Sequence, residues 1–125
     1  MKQHLAIVAW AANPDVPHLC ATPFFHAAAA AAMDVEVEVY FTSAAILLLK
    51  NGVAATLRTG PQQRETVYEF MRQAVAHGAR FYACSQAMCE YGLTLADLIP
   101  ETSGAAGAAT YAARSLDKDW VTVIY

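Results

Sequence analysis

Three cysteines, Cys20, Cys84 and Cys89, are the strongest nucleophiles in this 125-residue chain. Cys84 follows the apolar run Phe81-Tyr82-Ala83 and precedes Ser85-Gln86-Ala87-Met88, so it stands where a strand hands over to a helix. The unpaired N–H groups and positive end of a helix favour an anion. A thiol placed there loses its proton more readily and presents thiolate near neutral pH. Thiolate is the nucleophile of sulfur chemistry. The position alone equally suits a small buried hydrophobe, because free cysteines are among the most buried residues.

Cys89 lies five residues further on. Five helical steps rotate a side chain by roughly 500° and raise it about 7.5 Å, so Cys84 and Cys89 do not close a disulfide across an intact helix. This is not a C-x-x-C pair, and Cys89 reads first as a helix-face packing residue. Cys20 falls in the first strand-to-helix connection, at the same end of the expected sheet as Cys84. It is either a second thiol of the site or a loop residue. His18 and His26 stand near that end too, as tuners of a thiol or as satisfied structural histidines. Arg58 and Arg64 flank a Pro-Gln-Gln turn and could meet an anion, although exposed arginines are ordinary. No metal site is expected. The cysteines lack zinc spacing, and His4, His18, His26 and His77 do not pair at i, i+4.

The elements that must position these residues read as follows. Leu5 to Trp10 is a short apolar run of strand length, ended by Asn13-Pro14. Thr22-Pro23 starts a helix, with Thr as cap and Pro at its first position, and Ala27 to Ala32 continues it. Val35 to Phe41 alternates, with valines and Phe41 on one side and Glu36, Glu38 and Tyr40 on the other, which predicts a strand. Its two glutamates are expected at an exposed entry. Thr42 or Ser43 caps a helix over Ala44 to Lys50 that Asn51-Gly52 ends, and Val53 to Gly60 reads as loop. Pro61 to His77 reads as the clearest helix, with Val67, Phe70, Met71, Ala74 and Val75 in one stripe. Ala79 to Ala83 is a strand, Ser85 to Tyr91 a helix stopped by Gly92, and Thr94 to Asp97 a capped turn. A short strand over Thr102 to Ala106, a helix over Ala108 to Leu116 and a strand over Trp120 to Ile124 complete the order.

Such alternation predicts an α/β domain: a mainly parallel sheet of about five strands in a three-layer α/β/α sandwich. Ligands then bind at the carboxyl ends of the strands, here Ala11 to Ala21, Thr42 to Ala45, Cys84 to Ala87 and roughly Gly104 to Ala108. Several α/β classes fail at particular residues. Ala11-Ala12-Asn13-Pro14-Asp15 is not the Ser/Thr/Gly-rich loop of a flavodoxin. The third strand ends in Cys84, not in the phosphoacceptor Asp of a receiver domain. Glu90 stands where a low-molecular-weight phosphatase has Arg, and Gly104-Ala105-Ala106-Gly107 is not a dinucleotide fingerprint.

Composition narrows the function further. The chain is 57% hydrophobic and 15% charged, with a mean hydropathy of +0.29, which excludes a disordered segment. Twenty-seven residues are alanine. A net charge of −3 disfavours nucleic acid as a partner. One domain spanning 1–125 is expected. Three cysteines are odd in number and too few for a disulfide scaffold, so free thiols in the cytoplasm are expected. Met1-Lys2-Gln3-His4 with the following apolar run reads as the approach to a first strand, not as a signal peptide. No stretch offers the ~20 apolar residues of a membrane span. A chain this short and this apolar has more hydrophobic material than its own core needs, which hints at burial between subunits.

The chain resembles the DsrE/DsrF-like proteins. The resemblance is carried by Pro23-Phe24-Phe25 through Ala32-Met33, the valine strand with Tyr40-Phe41-Thr42 leading into Ile46-Leu47-Leu48-Leu49, Phe81-Tyr82-Ala83-Cys84 with Met88 and Tyr91-Gly92-Leu93-Thr94, Gly107-Ala108-Ala109-Thr110, and Trp120 to Tyr125. It covers nearly the whole chain. It implies a five-stranded three-layer fold, assembly as a homo-oligomer with a trimer favoured, and cytoplasmic sulfur trafficking. It also implies that Cys84 bears a persulfide, with no cofactor. Sulfur would then pass to or from a carrier protein of the TusA type or a related DsrE-like subunit. Cys89 is a thiol whose role the resemblance leaves open. Two other readings stand beside this one: a non-catalytic oligomeric scaffold with a structural Cys84, and a thiol redox sensor in which Cys20 or Cys89 resolves an oxidised Cys84.

Overall fold

A computed structural model of the protein describes residues 3–125; Met1 and Lys2 of the amino-terminal reading lie outside the described residues. Five strands form one all-parallel sheet: β1 (His4–Ala9), β2 (Glu36–Phe41), β3 (Arg80–Cys84), β4 (Thr102–Ala106) and β5 (Trp120–Ile124), in the order β4-β3-β2-β1-β5. The helices are α1 (Thr22–Ala32), α2 (Val67–Ala76), α3 (Ser85–Glu90) and α4 (Ala108–Leu116).

The strand order explains how the helices are shared out. From β1 to β4 each strand is added on the same side of its predecessor, and then the chain returns to lay β5 against the far side of β1. Right-handed crossovers put connections running in one direction on one face and a reversed connection on the other. The first face accordingly carries the main core. Ile7, Ala9, Val37, Val39, Phe41, Phe81 and Ala83 of the sheet pack there with Phe24 and Ala27 of α1 and Val67, Phe70, Met71 and Ala74 of α2. Phe24, Phe41 and Phe81 meet with ring centroids 5.1–5.9 Å apart. The second face has a smaller cluster of Ala6, Val8 and Tyr40, flanked by Tyr82, Ala106, Tyr111 and Trp120. It is covered by α4, none of whose residues is fully buried.

Several local expectations are corrected. Helix α2 begins at Val67, not near Pro61. Nothing before Val67 belongs to the apolar stripe, and the Thr66 hydroxyl caps the helix by accepting from the Glu69 N–H at 3.3 Å. Thr22 lies inside α1, whose start has no side-chain cap. The segment Ser43–Leu49 is a 3-10 helix, not an α-helix. Its buried residues Ala45, Ile46, Leu48 and Leu49 are spaced by three, which is the period at which 3-10 side chains eclipse. Ala54–Thr56, within the expected loop, is a short 3-10 turn. Glu38 is not at an exposed entry. It is 4% exposed and is held by Arg114, Tyr40 and Arg80 on the second face.

Candidate functional site

Strand β3 projects Phe81 and Ala83 into the main core and Tyr82 toward the second face, while Cys84, at the strand's end, packs partly against the main core and lines a cavity. Cys84 ends the strand and caps α3 with an extended backbone. It opens onto a cavity of about 240 Å³ at the carboxyl end of the sheet. Val8 of β1, Tyr40 and Thr42 at the end of β2, Ala106 of β4, Gly107, Ala108 and Tyr111 at the start of α4, and Ile124 of β5 complete its lining. Every strand contributes at or beyond its carboxyl end, as expected for an open parallel sheet.

Helix α4 roofs this cavity because two of its residues, one turn apart, grip the sheet. Tyr111 meets the Tyr40 ring edge-on at 5.7 Å, and Tyr40 in turn stacks on Tyr82 at 5.5 Å. The Arg114 guanidinium donates to both oxygens of Glu38 at 2.9 and 3.3 Å and lies over the Trp120 ring. The Tyr40 hydroxyl donates to Glu38 Oε1 at 2.5 Å. Burial pushes the Glu38 carboxyl up, but these hydrogen bonds and the charges of Arg114 and Arg80 outweigh it, so the group lies below its usual range and is ionised. Burial and the neighbouring carboxylate push the Tyr40 phenol well up, so it stays protonated.

The half-buried Cys84 thiol is subject to opposing effects. Burial raises its pKa. Hydrogen bonds donated by the Thr42 hydroxyl and by the backbone N–H groups of Ala87 and Gln86 lower it and prevail, while the Glu90 carboxylate works weakly against them. The thiol therefore sits below its ordinary value, which favours thiolate. Thr42 occupies the cap position of the 3-10 helix, but its hydroxyl makes no cap bond there and serves the sulfur instead. Its own N–H is anchored to the Ala9 carbonyl at 3.1 Å. The next residue, Ser43, turns the chain with a φ of 51°, a left-handed conformation that costs energy outside glycine.

The other candidates lie elsewhere. Cys20 is fully buried in the main core; its Sγ donates to the Asn13 carbonyl at 3.4 Å and the Val16 carbonyl at 3.6 Å, and burial pushes its thiol up to about 11. Cys89 is exposed on α3. His18 is exposed on the turn before α1, and His26 is exposed on α1 with its Nδ1 hydrogen-bonded to the Tyr125 hydroxyl. Arg58 and Arg64 are exposed and joined by an Arg58 Nε to Arg64 carbonyl bond of 3.2 Å. None of these six residues lines the cavity. Among the described residues no group of three or more His, Cys, Asp or Glu could hold a metal ion. No helix among them is long and apolar enough to cross a membrane.

Sequence reasoning named Cys84, Thr42 and Ala106 to Ala108, but Ala11 to Ala21, also expected at the site, contributes no residue to the cavity, and Tyr40, Tyr111, Val8 and Ile124 were not named as cavity residues. Tyr40 carried a signal, since period two sets it on the Glu38 side of β2. Tyr111 carried none, because nothing local decides which stripe of an alanine-rich helix turns inward.

The fold and this cysteine-bearing cavity define an α/β protein with a candidate thiol site at the switch in strand order. The chain belongs to the DsrE/DsrF-like family, whose model matches residues 7–120. Among solved structures it is similar to the YchN protein of E. coli, with a TM-score of 0.72 at 12% identity, and to MTH1491 of Methanobacterium thermoautotrophicum, a protein titled as of unknown function, with a TM-score of 0.67 at 14% identity. Each similarity covers 100% of both chains and concerns the fold. No curated protein matches the sequence.

Proposed function

We propose that the protein is a sulfur carrier or sulfurtransferase that holds sulfane sulfur as a persulfide on Cys84. Family membership supports sulfur relay as the setting. The observation that carries the reading is a cysteine at the wall of a cavity whose hydrogen-bond donors lower its pKa below the ordinary thiol value. In loading, the Cys84 thiolate attacks the outer sulfur of a donor R–S–SH. The Sγ–S bond forms, the donor S–S bond breaks, and its electron pair leaves as R–S⁻. The transferred sulfur keeps its proton until the new persulfide ionises. In unloading, an acceptor thiolate attacks that outer sulfur and Cys84 departs as thiolate. The donors that lowered its pKa also stabilise it as a leaving group. No cofactor enters either step. The acceptor in this proposal is the thiol of a partner protein, of the TusA type or a related DsrE-like subunit, in the cytoplasm.

Intact-mass analysis after treatment with ethyl hydropersulfide, on the wild type and on Cys84→Ser, Cys89→Ser and Cys20→Ser, tests the reading. Reductant-sensitive sulfur adducts lost only in Cys84→Ser are expected. Adducts on no cysteine, or equally on all three, would overturn it in favour of a scaffold domain with a structural Cys84.

A further inference from the structure

The lining of the Cys84 cavity says what kind of donor it takes. Apart from the cysteine, its residues are Val8, Ala106, Gly107, Ala108, Ile124 and three hydroxyl-bearing side chains, and none carries a formal charge. Two of the three hydroxyl residues have limited capacity for a ligand. The Thr42 hydroxyl donates to the Cys84 sulfur, and the Tyr40 hydroxyl donates to Glu38. Two cations on this face, Arg114 and Arg80, are turned to the buried Glu38 carboxylate. The first turn of α4 brings backbone to the rim, with no side-chain cation behind it. The cavity is also small, below the ~300–1,000 Å³ of pockets that enclose drug-sized ligands.

An anionic donor entering this space would lose hydration without a compensating charge. It would also approach a thiolate that already carries the local negative charge, with the Glu90 carboxylate nearby. We infer that the Cys84 cavity takes sulfur from uncharged donors borne on a short apolar group and turns away anionic donors such as thiosulfate. The inference rests on the carrier reading and narrows it to one chemical class, the protonated form of R–S–SH with a small alkyl R. The transfer step is the loading reaction written above. Discrimination arises before bond making, when the donor exchanges water for the cavity wall.

The test uses three methanethiosulfonates on the folded Cys89→Ser protein: an uncharged ethyl reagent, a negatively charged sulfonatoethyl reagent and a positively charged trimethylammonioethyl reagent. In each, the Cys84 thiolate forms a new S–S bond, and the S–SO₂ electron pair leaves with methanesulfinate. Rates are read by intact mass and divided by those of a small free thiol. The uncharged reagent is expected to exceed the anionic one by about tenfold or more, and to exceed the cationic one as well. Equal normalised rates, or a faster anionic reagent, would overturn the inference. A cationic reagent faster than the uncharged one would do so too, because the thiolate charge and not the apolar wall would then be the selector. Ile124 is 65% exposed at the cavity mouth, so Ile124→Lys is expected to fold and to raise the anionic rate by roughly threefold or more; no change would count against the inference. Ethyl hydropersulfide adducts on Cys84 together with equal normalised rates would overturn it and spare the carrier reading. Charge selection without any adduct from ethyl hydropersulfide would do the reverse.

Discussion

The lowered pKa of the Cys84 thiol depends in part on a threonine one strand away. Replacing Thr42 by Val keeps the shape and removes the hydroxyl that donates to the sulfur. A single such bond contributes about 1 kcal/mol, or roughly a fivefold change in an equilibrium. Thr42→Val is therefore expected to move the pH midpoint of Cys84 alkylation upward and to slow alkylation at pH 7 by up to about fivefold. Iodoacetamide kinetics across pH in a Cys89→Ser background measure this, and an unchanged midpoint would remove Thr42 from the site. Cys20 shows the opposite environment. Its folded thiol titrates near 11 instead of at the ordinary 9.0, so the unfolded chain releases the proton first as pH rises. Its contribution to stability is intact below 9.0 and declines as pH climbs toward 11. Denaturant midpoints that fall over this range in the wild type, and fall less in Cys20→Ala, are expected.

At the scale of elements, α4 is held by the Tyr111 ring contact and by one ion pair. Glu38 is buried and Arg114 is its main partner. Arg114→Met leaves the carboxylate with the Tyr40 hydroxyl and the longer Arg80 contact of 3.9 Å. A loss of about 2–3 kcal/mol at pH 7 is expected. The wild-type carboxyl lies below its usual range, so the stability it supplies is present above its unfolded value and is lost as pH falls through the folded one. The deficit of the variant should accordingly shrink at acid pH, and urea titrations at pH 7 and pH 4 compare the two. This ion pair also marks the limit of what the residues alone disclose. Gly107 and Asp117 bound α4 in the sequence as in the structure, and period two set Glu38 and Tyr40 on one side of β2. Whether that side was open to water depended on an arginine 76 positions away. The early start read for α2 has a similar origin. Pro61 is a good first residue for a helix, but no apolar stripe follows it until Val67, and the Thr66 cap decides the boundary. Around Cys84 the loop ends at Thr42 and Ala106 were legible from strand order, while the roof was not, because it required knowing how α4 is turned.

At the scale of the whole molecule, the two faces of the sheet are unequally covered. The outer side of α4 carries Ala109, Ala112, Ala113 and Leu116, all exposed and spaced as one stripe, with Leu116 at 88% exposure. Val121 of the edge strand β5 is exposed as well. We propose that copies of the chain associate through such surfaces, with three the favoured number. Light scattering should return a multiple of 13.5 kDa, and Leu116→Lys should lower it. A mass of one subunit for the wild type would refute association.

Strand β4, read as Thr102-Ser103-Gly104-Ala105-Ala106, has no side chain larger than threonine. On the cavity side it offers little more than a methyl group at Ala106. The room beside Cys84 is thus made by what β4 leaves out. A larger residue at position 106 would narrow the chamber, whereas the hydroxyl that lowers the Cys84 pKa comes from Thr42 at the end of β2, on the other side of β3. The size of the space and the acidity of the thiol are thus set by different strands.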